Sequence, residues 1–191
     1  MKTSKDRSIA FAWFGMAGVA VFIITWMCAE AVDTAWQFGT NTLSEFGVSD
    51  TDASLYFNYG CKIAGILVAI FGLGRAAYAK NFGHITGGVL LIFGGAALAL
   101  VGVYTLDEQT LHNFVASAAA MFIFVSMMAI AAGNWAANRK FLAGIGIVFV
   151  LMLTAMFFAF DIAMLEAYGI ILAIIWFLLE SVNMIISSRK D

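Results

Sequence analysis

HITGGVLLIFGGAALALVGVY, residues 84–104, is an apolar run with no acidic or basic side chain apart from its first histidine. Its length matches the roughly 20 apolar residues that an α-helix needs to cross a hydrocarbon core about 30 Å thick. Glycines recur seven residues apart along it, at Gly88, Gly95 and Gly102. That interval returns to nearly the same face of a helix, and small residues let membrane helices approach closely. We therefore predict a central membrane-spanning helix that packs on the helix before or after it.

The rest of the chain has the same apolar character. Of its 191 residues, 63% are hydrophobic, 12% are charged and none is proline, whereas about a quarter of the residues in soluble domains are charged. This composition predicts an all-α, polytopic membrane protein, a six-transmembrane-helix bundle that forms one domain over residues 1–191. The predicted helices lie near residues 9–31, 56–78, 85–105, 112–133, 141–160 and 166–187, and a long loop covers residues 32–55.

Charges of opposite sign alternate between successive interhelical segments. One set of segments holds the cations Lys2, Lys5, Arg7, Arg75, Lys80, Arg139, Lys140, Arg189 and Lys190. The other set holds the acids Glu30, Asp33, Glu45, Asp50, Asp52, Asp107, Glu108, Asp161 and Glu166. The positive-inside rule then predicts a multi-pass protein of the cell membrane with both termini cytoplasmic and the acidic loops outside. The charge distribution does not indicate a nucleic-acid partner.

The longest polar interval is TNTLSEFGVSDTDASLYFNYGCK, residues 40–62. We predict that it forms a polar site at the extracytoplasmic face, together with the short loop that delivers Asp107 and His112. The candidate ligand-binding residues of this site are Asn41, Ser44, Glu45, Asn58, Lys62, Asp107 and His112. Three of them, Ser44, Asp107 and His112, are also the candidate catalytic residues if the site has an activity.

Three polar residues are predicted to lie within the membrane, namely Lys62, Glu180 and Asn183. An intramembrane charge is costly unless it is paired or hydrated. Two interpretations of Lys62 stay open, because its stem can extend outward to the interface or its amine can pair with an outer carboxylate such as Glu45, Asp107 or Asp161. Glu180 is interpreted either as part of a structural clamp with Asn183 and Arg75 or Arg139, or as a group that moves protons or solutes.

Neither a metal nor a cofactor is predicted. His84 and His112 are separated by a membrane thickness and cannot share a metal, and the acidic segment around Asp50 lacks the remaining ligands of a calcium loop. Cys28 and Cys61 are predicted at similar depth. They are either buried free thiols or a disulfide, which requires Cα atoms within about 7 Å.

Two segments carry a resemblance to a known family. One is Asn41-Thr42-Leu43-Ser44-Glu45-Phe46-Gly47 leading into Phe57-Asn58, and the other runs from Gly102-Val103 through Asp107 and His112 to Phe122 and Phe124. Together they resemble a prokaryotic family of six-helix membrane proteins known as domain of unknown function 998, which is similar to the eukaryotic FRAG/DRAM group.

The resemblance carries over to particular positions. The family pattern of a serine, an acid and a glycine in the first outer loop corresponds to Ser44, Glu45 and Gly47, although the acid is more often aspartate, and the family histidine corresponds to His112. What the resemblance implies is an outer polar site near lipid headgroups.

Three functions remain open at this point. The first is a non-catalytic module in which Ser44, Glu45 and His112 hold the outer loops together by hydrogen bonds. It binds membrane lipids, another membrane protein or a second copy of the chain. The second is a small proton-coupled transporter or channel, whose path would run between Lys62 and Glu180. The third is an outer-leaflet lipid-modifying enzyme with Ser44 as nucleophile and His112 as base. Catalysis is the less favoured interpretation, because the chain has no G-x-S-x-G or H-E-x-x-H motif.

Overall fold

The computed structural model of the protein describes residues 4–190, without the side chain of Lys190. Over that range it is all-helical and contains no β-strand. The six α-helices are α1 (Ser4–Val32), α2 (Ala53–Ala77), α3 (Phe82–Val101), α4 (Gln109–Ala136), α5 (Lys140–Ala159) and α6 (Ile162–Lys190). Each of them is long and apolar enough to cross a membrane, which confirms the all-α, six-helix prediction. Which end of the bundle faces the cytoplasm stays a prediction.

The six helices form a closed bundle in which they follow one another in chain order. Each helix contacts the next one along the chain, and α1 also packs against α6. The beginning of α1 and the end of α6 meet, where the Ser8 and Ser188 hydroxyls lie 2.7 Å apart. We call this end of the bundle the terminal end. The opposite end, where residues 33–52 fold over the helices, is called the cap end.

Glycines bring α2 and α3 into backbone contact, as the seven-residue spacing predicts. A Cβ atom at Gly95 would lie 2.5 Å from the carbonyl oxygen of Gly65, and one at Gly88 would lie 2.7 Å from that of Gly72. On another face of α3, a Cβ at Gly87 would overlap Ile130 of α4. The central helix α3 therefore packs closely against both α2 and α4. In a membrane, van der Waals contact of this kind favours helix association, because the hydrophobic effect does not act between helices in lipid.

Residues 33–52, called the cap from here on, form an ordered structure with an apolar centre. A short 3-10 helix spans Leu43–Val48, and Leu43 and Phe46 within it are fully buried. Trp36 stacks on Phe46 with ring centroids 4.6 Å apart, and its Nε1 donates to the carbonyl of Thr42 at 2.9 Å. The cap therefore packs on the bundle through its aromatic residues, although its composition is the most polar in the chain.

Candidate functional site

Glu166 fastens the cap to α6. Its Oε2 accepts the backbone N–H of Leu43 at 2.9 Å, and its Oε1 accepts the hydroxyl of Ser44 at 3.0 Å. Ser44 was a candidate site residue from the sequence, whereas Glu166 was noted only for its charge. The available signal was its position, because an acidic residue in the first turns of an apolar helix needs donors from a neighbouring segment.

Glu45 stabilises the 3-10 helix. Its Oε1 accepts the backbone N–H of Thr42 at 2.8 Å, and its Oε2 accepts the side-chain amide of Asn41 at 2.6 Å. Partial burial raises the pKa of the Glu45 carboxyl, but the hydrogen bonds from Thr42 and Asn41 outweigh it, so that the pKa lies below its usual value. The carboxylate is therefore the form that holds this turn.

His112 joins the next loop to α4. It is 3% exposed, and its Nδ1 lies 2.8 Å from the carbonyl oxygen of Tyr104. Because a carbonyl only accepts, Nδ1 carries the proton. His112 is close enough to Glu166 to interact with it electrostatically. Within the described residues no hydrogen bond connects His112 to Ser44, so the candidate nucleophile and base have different partners.

The remaining predicted site residues have separate partners. Asn58 donates to the carbonyl of Gly47 at 3.0 Å, which ties the cap to α2. Asp107 is exposed and accepts a hydrogen bond from Thr105. The amine of Lys62 lies 4.9 Å from the centre of the Tyr59 ring, and over residues 4–190 it forms no ion pair with Glu45, Asp107 or Asp161. Hydrogen bonds therefore join the cap residues to the bundle, whereas within the described residues no hydrogen bond or ion pair joins Lys62, Asp107 and His112 to one another.

At the terminal end, Glu180 is the centre of a buried polar network. Its Oε2 accepts Nη2 of Arg75 at 2.7 Å and the amide of Asn183 at 3.2 Å, while its Oε1 accepts the amide of Asn134 at 2.7 Å. The side chains of Arg75 and Glu180 are 5% and 3% exposed. Of the two arginines considered from the sequence, Arg75 forms the ion pair. This geometry matches the clamp interpretation of Glu180 and Asn183.

The network extends to α3 and to the loop after α4. Since the amide of Asn134 donates to Glu180, its Oδ1 is free to accept the Nε2–H of His84 at 3.0 Å. Asn81 lies 3.3 Å from Nδ1 of the same ring, and Arg139 donates to Oδ1 of Asn183 at 3.3 Å. Asn81 and Asn134 were not among the residues predicted from the sequence. The signal was present in both, because each is an amide side chain near a helix end.

A cavity of about 100 Å³ opens beside this network. Its wall contains Arg75, Lys80 and Arg139, and no acidic residue of the described range lines it. The Nε–H of Arg75 is buried without an acceptor among the described residues. The cavity is therefore bordered by positive charge, and one of the side chains in its wall, Arg75, has a buried donor without a partner.

A larger groove, of about 380 Å³, lies between α1 and α6 at the cap end. Its wall is apolar and includes Trp26, Ile171, Ile174 and Phe38 of the cap, with Glu30 at one side. The Phe38 ring is parallel to that of Trp26 at a centroid distance of 6.4 Å. The cap therefore forms part of the groove wall.

Apolar side chains occupy the interior between the two polar regions. Phe71 and Leu91 are fully buried, and Trp176 is 2% exposed. Lys62 and Glu180 therefore lie on opposite sides of a packed core. Cys28 and Cys61 are free thiols. In the part of the chain that the structure describes, no three His, Cys, Asp or Glu side chains are grouped to hold a metal ion.

A family model described as "Protein of unknown function (DUF998)" matches residues 16–183 of the chain. The match includes the cap, all of α2 to α5 and both polar regions described above. No curated protein and no solved structure matches the chain.

Proposed function

The chain belongs to the DUF998 family of proteins of unknown function, and we propose that it is a non-catalytic membrane module that binds a phospholipid at the cap end. One acyl chain occupies the groove between α1 and α6, and the headgroup lies beside the cap. The observation that carries the proposal is the groove itself. It is an apolar recess of about 380 Å³ between two helices that are long and apolar enough to span a membrane.

The cap gives the groove a defined shape, which an ordinary lipid-facing surface lacks. Phe38 packs against Trp26 and, edge to face, against Tyr168 at 5.6 Å. It is held in place because Trp36 and Phe46 anchor the cap, and Ser44 binds Glu166. The roles of Ser44 and Glu45 are then to position the wall of the groove. This agrees with their hydrogen bonds, since Ser44 donates to Glu166 and Glu45 accepts from Asn41 and Thr42.

Two polar groups at the groove indicate the headgroup chemistry. Glu30 is exposed and has no hydrogen-bond or ion-pair partner among residues 4–190, so it favours a cationic amine. The indole N–H of Trp26 is buried without an acceptor in the same range, and an ester oxygen that entered beneath Phe38 would satisfy it. A phosphatidylethanolamine supplies both the amine and the ester. The bias of lysine and arginine along the sequence supports an extracytoplasmic cap end, so the lipid comes from the outer leaflet.

The two other functions have less support. An enzyme needs a nucleophile and a base in reach of each other, and Ser44 and His112 bind different partners. A transporter needs a path across the bundle, and Phe71 and Trp176 pack the interior where that path would run.

Native mass spectrometry of the detergent-purified chain with added phosphatidylethanolamine or phosphatidylglycerol tests the proposal. We expect Ile171→Trp, which fills the groove, to lose retained lipid, whereas Leu151→Trp on the exposed face of α5 retains it. Glu30→Gln should reduce the preference for the ethanolamine lipid roughly two- to fivefold, since exposed charge pairs contribute up to about 1 kcal/mol. The control is Glu108→Gln, an exposed carboxylate at the same end. Equal lipid retention in Ile171→Trp and Leu151→Trp would contradict the proposal.

A further inference from the structure

We propose that the cavity at the terminal end is a binding site for a phosphate group. This site is separate from the groove at the cap end, and the proposal does not depend on the function proposed above. The ligand is either the phosphate of a membrane lipid headgroup or a soluble phosphate ester, which share the chemistry that the cavity recognises.

Charge is the first argument. Arg75, Lys80 and Arg139 line the cavity, and none of the lining residues in the described range is acidic. Glu180 neutralises Arg75 through Nη2 from outside the cavity wall. The charged side chains of the lining within the described range are therefore all cationic, and arginine is the side chain best suited to bind phosphate oxygens.

An unsatisfied donor is the second and independent argument. Arg75 is 5% exposed, and its Nε–H has no acceptor among the described residues. A buried donor without a partner costs about 1–3 kcal/mol, and more on a charged group, so such donors are rare in folded proteins. Arg75 lines the cavity, but its Nε is covered by neighbouring atoms, so a phosphate oxygen would supply the missing acceptor once the side chain shifts toward the cavity.

The neighbouring backbone and the volume fit the same ligand. α3 begins at Phe82, and both Asn81 and His84 at its start line the cavity. The N-terminal end of a helix carries a partial positive charge that favours anions. The volume of about 100 Å³ exceeds the roughly 10–15 Å³ that one water molecule needs in a cavity, which leaves room for an ion of several heavy atoms. Ser8, Ser187 and Ser188 add hydroxyl groups to the lining.

Arg139→Gln is the most informative variant, because it removes a cation from the lining and leaves the Arg75–Glu180 pair in place. Lys140→Gln is its matched control. The neighbouring Lys140 is exposed, does not line the cavity and places its amine 5.8 Å from the centre of the Trp135 ring. A second lining variant, Lys80→Gln, keeps the test decisive if Arg139→Gln proves unstable.

The experiment uses the full chain purified in detergent and phosphate-free buffer. Isothermal titration measures the binding of inorganic phosphate and of glycerol 3-phosphate, and native mass spectrometry measures the retention of dioleoyl phosphatidate. We expect at least one probe to bind, with about tenfold weaker binding in Arg139→Gln, as expected for a charged hydrogen bond, and less than a twofold change in Lys140→Gln. Binding of the soluble probes identifies a soluble phosphate ester as the ligand, and binding of phosphatidate alone identifies a lipid headgroup. The proposal is overturned if no probe binds the wild type, or if the lining and control variants lose affinity equally.

Discussion

Replacing Glu180 with glutamine tests whether the buried network at the terminal end stabilises the bundle. The substitution keeps the shape of the side chain but removes its charge. Three groups, on Arg75, Asn134 and Asn183, now donate to the carboxylate oxygens. Glutamine offers one acceptor oxygen and one NH₂ group, so at least one donor would face another donor. In addition, the Arg75 cation would remain 5% exposed without a counter-charge.

The expected destabilisation follows from these losses. Breaking a buried ion pair by removing one partner costs about 3–5 kcal/mol, mostly because the other charge stays buried and uncompensated. The double variant Arg75→Gln with Glu180→Gln removes both charges. We therefore expect the sum of the destabilisations of the two single variants to exceed the destabilisation of the double variant. The expected difference is about 0.5–3 kcal/mol, the range of coupling between residues in contact.

The free energy of unfolding can be measured by titrating SDS into mixed micelles and following tryptophan fluorescence. Trp176 lies four residues before Glu180 and is 2% exposed, so its emission reports on this region. Glu108→Gln is the control, because Glu108 is exposed at the other end of the bundle and such surface changes stay within about 0.5 kcal/mol. If Glu180→Gln were as stable as this control, the carboxylate would not be holding Arg75, and the clamp interpretation would be refuted.

Two further predictions concern the helix contact and the cap. Gly95→Ala should destabilise the bundle by about 1–3 kcal/mol in the same SDS titration, because its Cβ would lie 2.5 Å from the backbone oxygen of Gly65. Gly144→Ala is the control and should be neutral, because nothing lies within 4 Å of its Cβ. Equal effects of the two variants would contradict the close α2–α3 contact. Because the pKa of Glu45 in the folded cap lies below its usual value of 4.5, its contribution to stability is present above pH 4.5 and is lost as the pH falls through the folded value. The fluorescence of Trp36 can be measured as the difference between a protein and its Trp36→Phe variant. It should change below pH 4.5 in the wild type and stay constant in Glu45→Gln. The same change in both would show that another group titrates.

Much of the fold could be predicted because it depends on local patterns. Apolar length identified the six helices, and the spacing of Gly88 and Gly95 identified the face along which α3 packs. Pairing was one of the two interpretations of Glu180, because a charge in an apolar helix is costly unless it is paired or hydrated. These inferences require only the geometry of one helix and the thickness of a bilayer.

The candidate site was predicted less completely, since its contacts join distant parts of the chain. Ser44 and Glu45 were both expected to hold the outer loops together, but the sequence did not indicate their partners. Glu45 binds residues three and four positions before it, while Ser44 binds Glu166, 122 positions away. Lys62 was considered as a partner for outer carboxylates, but its amine packs over Tyr59, one turn away on α2. An isolated polar residue in the sequence does not indicate which other polar residue it meets.

The sequence by itself therefore determined that this protein is a six-helix membrane bundle with a long polar loop and a buried acid. Only the tertiary structure decided that Glu180 pairs with Arg75, that the loop becomes a packed cap held by Glu166, and that a groove opens between α1 and α6. The physical reason is that hydrophobic length and helical period are properties of a single segment, whereas hydrogen-bond partners and cavities depend on the rotation and relative depth of helices that are remote in the chain.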